Sequence, residues 1–241
     1  MSLIIHTIVK DGIVACADSR TTIQNEKDGI RYDDTAEKII PFPNRMVVGH
    51  CGNSKITSTL SVTKFLYKLR ESIGNQATIL DLPIRILNEY KSLNSTADIS
   101  FLISGVDFMG QTIHTYKINT KNNEIKLQLD RPGATWVGQT NICKEIMNNN
   151  IDYDNLSIKE AQQLNQLCMN TVIESFKYSK NQVVGGQCKI YCIDLLHSES
   201  GWLNKNDTLS KDKHADDFAK RGLFYKEVDK IISVKNEQKE S

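Results

Sequence analysis

Hydrolytic chemistry needs a nucleophile, a base and a group that manages charge. The chain begins Met1-Ser2-Leu3-Ile4-Ile5-His6. A serine hydroxyl is a poor nucleophile at neutral pH and needs a base. An α-amine has a reference pKa of about 7.7–8.0 and is such a base. Ser2 is small enough for ordinary removal of the initiator methionine, which would put a hydroxyl and a free amine on one residue. Met-Ser openings are also widely tolerated, so the dipeptide alone does not separate catalysis from chance. Lys38 is the second residue of interest, because it opens the apolar run Lys38-Ile39-Ile40. A buried lysine lowers the pKa of amines and hydroxyls beside it. It also needs a carboxylate partner, since a lone buried cation is costly. A purely structural ion pair would satisfy the same demand. The six cysteines (Cys16, Cys51, Cys143, Cys168, Cys188 and Cys192) include no C-x-x-C pair. Cys188 and Cys192 have no matching His/Cys pair elsewhere. Reduced core thiols and no metal site are expected.

The elements that must hold these residues follow from patterning. Leu3 to Val9 is β-rich, Lys10-Asp11-Gly12 is a turn signal, and Ile13 to Ala17 is a second apolar run, so the start reads as a hairpin. The second run does not alternate, which implies burial on both faces. Residues 21–36 are polar and read as a loop. Lys38 to Ile40 and Met46 to Gly49 flank the turn Pro41 to Asn44 as another hairpin. Val62, Phe65, Leu66, Leu69 and Ile73 form one helical stripe, within a helix expected over Asn53 to Gly74. A second helix is expected over Ile79 to Tyr90, with strands at Ile99 to Gly105, Thr112 to Ile118 and Ile125 to Leu129. A short helix is expected at Asn141 to Asn149. Ser157-Ile158-Lys159-Glu160 is a capping box opening another. Gly185-Gly186 precedes a strand at Cys188 to Leu195, and a further amphipathic helix is read at Ala215 to Ile232.

Helices thus come in pairs between groups of antiparallel strands. That disfavours a doubly wound parallel sheet and points to an α+β fold of two sheets packed face to face with helices outside. Thirty Lys+Arg stand against 29 Asp+Glu, a net charge of +1. Near-neutrality argues against a general nucleic-acid binder. No apolar run approaches the roughly 20 residues of a membrane helix. The opening lacks the basic region and long apolar core of a signal peptide, so a cytoplasmic protein is expected.

Certain motifs in this order resemble the proteasome β-type family of N-terminal-nucleophile (Ntn) hydrolases, including HslV-like and Anbu-like peptidases. They are Lys10-Asp11-Gly12-Ile13-Val14 leading to Ala17-Asp18-Ser19-Arg20-Thr21-Thr22, then Glu37-Lys38-Ile39, then Gly49-His50-Cys51-Gly52. Ile103 to Asp107 with Thr115 to Ile118, and Gly185-Gly186, fit the same order. The resemblance covers residues 2–202 and implies a four-layer αββα sandwich. Residues 203–241 are left as a charged, partly helical appendage.

The resemblance also implies roles. Counting back from Asp18, the N-terminal nucleophile falls on Ser2. Lys38 becomes the lysine that tunes the site, with Asp18 as its partner. The Gly52 N–H faces the developing oxyanion, on the expectation that it lies just before a helix N-terminus. Thr21 aligns an extended substrate through its backbone, while Ala36, Ile40, His50 and Ser54 shape the side-chain pocket. Arg20 and Gly185 support the site. The family's supporting aspartate and two serines are replaced by Asn181, Val184 and Gln139, a change expected to weaken orientation of the amine. The implied function is hydrolysis of peptide or amide bonds without a cofactor, by a homo-oligomeric ring with an ATP-dependent unfoldase as a possible partner. Alternatives are a small-molecule amidase or acyl transferase of the same fold, and a non-catalytic ring subunit.

Overall fold

The first hairpin is buried throughout. In the computed structural model, which describes residues 2–25, 29–109, 111–139, 141–148, 150–179, 182–203 and 209–211, β1 (Leu3–Val9) pairs antiparallel with β2 (Gly12–Asp18) from Ile4↔Ala17 to Val9↔Gly12. Every residue of both strands is buried, which is why their sequences do not alternate. Ser2 therefore immediately precedes a strand that is paired on both sides within its sheet.

Residues 21–36 are not a plain loop. β3 (Thr21–Asn25) and β4 (Gly29–Asp33) form a separate two-stranded ribbon, with β4 exposed at every position. Ile23 and Ile30 lie across a polar sequence there, so too little apolar periodicity remains to announce a strand. β5 (Ile39–Phe42) and β6 (Met46–Gly52) form the expected hairpin.

Helix α1 (Val62–Ile73) starts later than the sequence suggested. Ser61 is its N-cap and accepts the Lys64 N–H at 3.2 Å. The stretch before it is irregular and closed by a Lys55↔Ser61 bridge. Helix α2 (Leu82–Ser92) follows, with Pro83 in its first turn. β7 (Ile99–Asp107), β8 (Thr112–Asn119) and β9 (Glu124–Leu129) then complete a five-stranded sheet of order β5-β6-β7-β8-β9.

β10 (Gly133–Gly138) has no counterpart in the sequence reading. It pairs with β1, setting Leu3 opposite Gly138. Helix α3 (Asn141–Met147) is short. Helix α4 (Ile158–Lys177) opens on the expected box: Ser157 N–H donates to Glu160 Oε2 at 2.8 Å, and Glu160 N–H to Ser157 Oγ at 3.3 Å. β11 (Cys188–Asp194), β12 (Glu199–Leu203) and β13 (Leu209–Lys211) finish a six-stranded sheet of order β10-β1-β2-β11-β12-β13. The expected boundary at residue 202 falls inside β12. The helix expected at Ala215 to Ile232 lies outside the described residues.

The chain is thus α+β, with antiparallel sheets and four helices among the described residues. Three apolar clusters organise it. One packs β6 and β7 under α1 and α2, through residues such as Val48, Leu66, Ile86 and Phe101. A second packs β1, β2 and β11 against α3 and α4, through Leu3, Ile5, Cys168 and Val172. The third joins the two large sheets, with Ile4 and Ala15 on one side and Val47 and Leu102 on the other. One polar bridge crosses there as well. His6 Nδ1 and Ser104 Oγ share a hydrogen bond at 2.7 Å, and Ser104 Oγ shares another at 2.7 Å with Thr115 Oγ1. Pairing the buried hydroxyls this way offsets their desolvation. The His6 Nε2 is buried without a partner among the described residues.

Candidate active site

Ser2 stands where β1 begins and is buried. Its carbonyl accepts the Gln139 N–H at 2.9 Å. Gly138 comes so close to that carbonyl that any β-carbon would collide with it, and its φ of 102° is one that other residues rarely adopt. Glycine is therefore required for β10 to end against Ser2.

Asp18 ends β2, next to β1. Its carboxylate is 1% exposed and accepts from four directions. Oδ1 takes the Leu3 N–H at 3.0 Å and Lys38 Nζ at 2.9 Å, and Oδ2 takes the Arg20 N–H at 3.3 Å and the Gly185 N–H at 3.2 Å. One carboxylate thus ties the residue after Ser2 to the lysine on the other sheet. Lys38 Nζ also donates to the Arg20 carbonyl. Burial pulls the Lys38 pKa below its ordinary value, and the Asp18 charge and hydrogen bond oppose that pull. The Asp18 carboxylate accepts four hydrogen bonds and Lys38 Nζ donates two, which offsets the cost of burying the pair.

These residues open onto a cavity of about 760 Å³. Ser2, Lys38, Gly52 and Thr21 line it, and so do Ala36, His50 and Ser54. Ile40 does not: it is fully buried in the cluster beneath α1 and α2. Gly52 is the last residue of β6 and has a φ of 106°. A β-carbon there would strike the Asp98 carbonyl. The expectation that Gly52 precedes a helix is corrected, because α1 begins at Val62 and its dipole cannot act at Gly52. Strand geometry orients the N–H instead. The His50 N–H donates to Lys38 and the Asn53 N–H to Asp98, each at 2.9 Å. Alternation along the strand directs the Gly52 N–H toward the Lys38 side.

The His50 ring shares a 3.3 Å contact with the Glu37 carbonyl and a 3.4 Å contact with Thr63 Oγ1. Burial lowers its pKa to about 4, so it is neutral at pH 7. Arg20 lines the cavity but is clamped to Asp34 by two hydrogen bonds, at 2.7 and 2.8 Å, and its guanidinium fills the space a Gly185 side chain would need. Arg20 and Gly185 thus brace the loop that carries the Asp18 contacts. Val184 is 1% exposed and sits in the apolar cluster under α3 and α4. Asn181 lies outside the described residues. Sequence reasoning passed over Glu37, Asp98, Thr63, Ser100 and Asn119, which also line the cavity. Glu37 stands in the Glu37-Lys38-Ile39 motif without a role of its own there, and the other four carry no motif, so only the fold gathers them.

No group of three His, Cys, Asp or Glu among the described residues is arranged to hold a metal ion. No helix among them is long and apolar enough to cross a membrane.

The fold is similar to those of solved Anbu and HslV structures. Anbu from Yersinia bercovieri superposes with a TM-score of 0.60 at 16% identity, covering 96% of each chain. Anbu from Hyphomicrobium sp. strain MC1 gives 0.63 at 13% identity, covering 96% of this chain and 97% of that one. Eukaryotic HslV from Trypanosoma brucei gives 0.55 at 14% identity, covering 80% of this chain and 99% of that one. No protein-family model matches the sequence, and no curated protein matches it.

Proposed function

We propose that this protein is an Ntn hydrolase that cleaves peptide or other amide bonds with Ser2 as its nucleophile, once Met1 is removed. The supporting observation is the cavity on which Ser2, Lys38 and Gly52 meet, with Lys38 fixed by Asp18. Ser2 Oγ attacks the substrate carbonyl, and its proton passes to the Ser2 amine. The Lys38 charge keeps that amine in its basic form near neutral pH. The Gly52 N–H donates to the oxyanion as the tetrahedral intermediate forms. The amine returns the proton to the leaving nitrogen, an acyl-enzyme remains on Ser2, and water releases it by the same path in reverse. The apolar clusters support a four-layer αββα stack. We place the protein in the cytoplasm, assembled as a homo-oligomeric ring, with an ATP-dependent unfoldase as its feeding partner.

The test compares three proteins on fluorogenic peptide amides: the chain beginning at Ser2, a chain retaining a residue ahead of Ser2, and Ser2→Ala. Turnover by the first alone supports the reading. Equal turnover by Ser2→Ala rules out Ser2 as the nucleophile. Native mass spectrometry of the same preparation reads the assembly; a monomer at working concentration would contradict the ring.

A further inference from the structure

We propose that the cavity selects amide substrates carrying a cationic side chain, of the lysine or arginine type, beside the bond to be cleaved, with Glu37 and Asp98 as its counter-charges. This rests on the hydrolase reading above and names its substrate class.

The argument is a charge balance over the cavity wall. Its two cationic side chains are already matched: Lys38 to Asp18 at 2.9 Å and Arg20 to Asp34 at 2.7 Å. Half-buried Glu37 and exposed Asp98 also line the cavity, and neither carboxylate has a counter-ion or hydrogen bond among the described residues. Their backbones are held from behind. The Glu37 carbonyl accepts from Thr63 Oγ1 at 3.0 Å and contacts the His50 ring at 3.3 Å. The Asp98 carbonyl accepts the Asn53 N–H at 2.9 Å and packs against Gly52. His50 does not offset the two negative charges, because burial keeps it neutral at pH 7.

Elsewhere the wall is polar, with Ala36 and Cys51 too small to anchor a large apolar side chain. Thr22 also lines the cavity, and its hydroxyl is buried without a partner among the described residues. A basic side chain would meet both carboxylates through charge-assisted hydrogen bonds. An acidic one would be repelled.

The experiment uses peptide amides that differ only at the residue before the scissile bond: Arg, Lys, Leu or Glu. With the chain beginning at Ser2, kcat/KM for Arg and Lys should exceed Leu by roughly tenfold and Glu by roughly a hundredfold. The advantage should shrink as salt rises from about 50 to about 500 mM. The double variant Glu37→Gln, Asp98→Asn should cut the Arg-to-Leu ratio roughly tenfold, mainly through KM. Equal cleavage of Arg and Leu peptides, or a ratio the double variant leaves unmoved, overturns the proposal and leaves the hydrolase reading standing. A calorimetric arm measures binding of the same peptides to Ser2→Ala. Tighter binding of Arg and Lys peptides there, without Ser2-dependent turnover of any peptide, keeps the charge proposal and overturns the hydrolase reading. Equal or undetectable binding of all four overturns the charge proposal.

Discussion

At the residue scale the account rests on the Lys38–Asp18 pair. Lys38 is 5% exposed and Asp18 1%, so removing one partner strands the other charge in the interior. Lys38→Ala should therefore destabilise the protein by roughly 3–5 kcal/mol, read by chemical denaturation. It should also lower kcat by about a hundredfold or more in whatever fraction stays folded. Lys38→Arg should recover stability better than rate, because a planar guanidinium keeps the ion pair but does not reproduce a point charge. The pH profile offers an independent check. The base is an amine that works only when neutral, so kcat/KM should rise with pH. Its apparent pKa should fall at or below about 7.7, the reference value of an α-amine, because the Lys38 charge disfavours protonation. A profile that falls between pH 6 and 8 would assign the proton transfer to a different group. The pairing of Lys38 with Asp18 beside Ser2 could be anticipated from the sequence because the family resemblance implies it. Glu37 and Asp98 could not be, since an unpaired carboxylate is defined by what fails to surround it, and that is a property of the fold.

Single elements decide where those residues sit. β10 pairs with β1 and ends on Gly138, whose missing side chain lets the strand close on the Ser2 carbonyl. Gly138→Ala should displace the first residues of β1 and cost activity well beyond its effect on Tm, measured by turnover beside thermal unfolding. Gly133-Ala134-Thr135-Trp136-Val137-Gly138 is short, bracketed by glycines and only partly buried, so its strand character depends on β1 rather than on its own periodicity. The same reason hid the β3–β4 ribbon, whose polar sequence carries no alternation. The helices were more legible, because α1 and α4 each bring an apolar stripe and a serine N-cap. The start of α1 was misplaced because residues 53–60 mix apolar residues into an irregular segment, and only the Ser61 cap marks where the helix begins.

At the scale of the whole molecule, two buried histidines tie stability to pH. His6 bridges the two large sheets and His50 backs the cavity, and burial lowers their pKa values to about 3 and about 4. Both are neutral when folded, whereas an unfolded histidine takes up a proton below about pH 6.5. Their contribution is thus held above pH 6.5 and lost as pH falls toward 4. Denaturation at pH 4.5 should show a loss of roughly 2–3 kcal/mol per histidine relative to pH 7, and His6→Gln should remove one share of that acid sensitivity. The fold class was legible because paired helices between antiparallel strands leave few ways to cover two sheets, and the superpositions on Anbu and HslV agree with it. Activity is a finer matter than fold and depends on one atom at one end of the chain. Intact-mass analysis after treatment with an electrophilic amide-hydrolase probe addresses it directly. The account predicts a mature chain beginning at Ser2 that carries one adduct, mapped to Ser2 and lost in Ser2→Ala. A chain that remains unlabelled at Ser2 while still hydrolysing amides would contradict it.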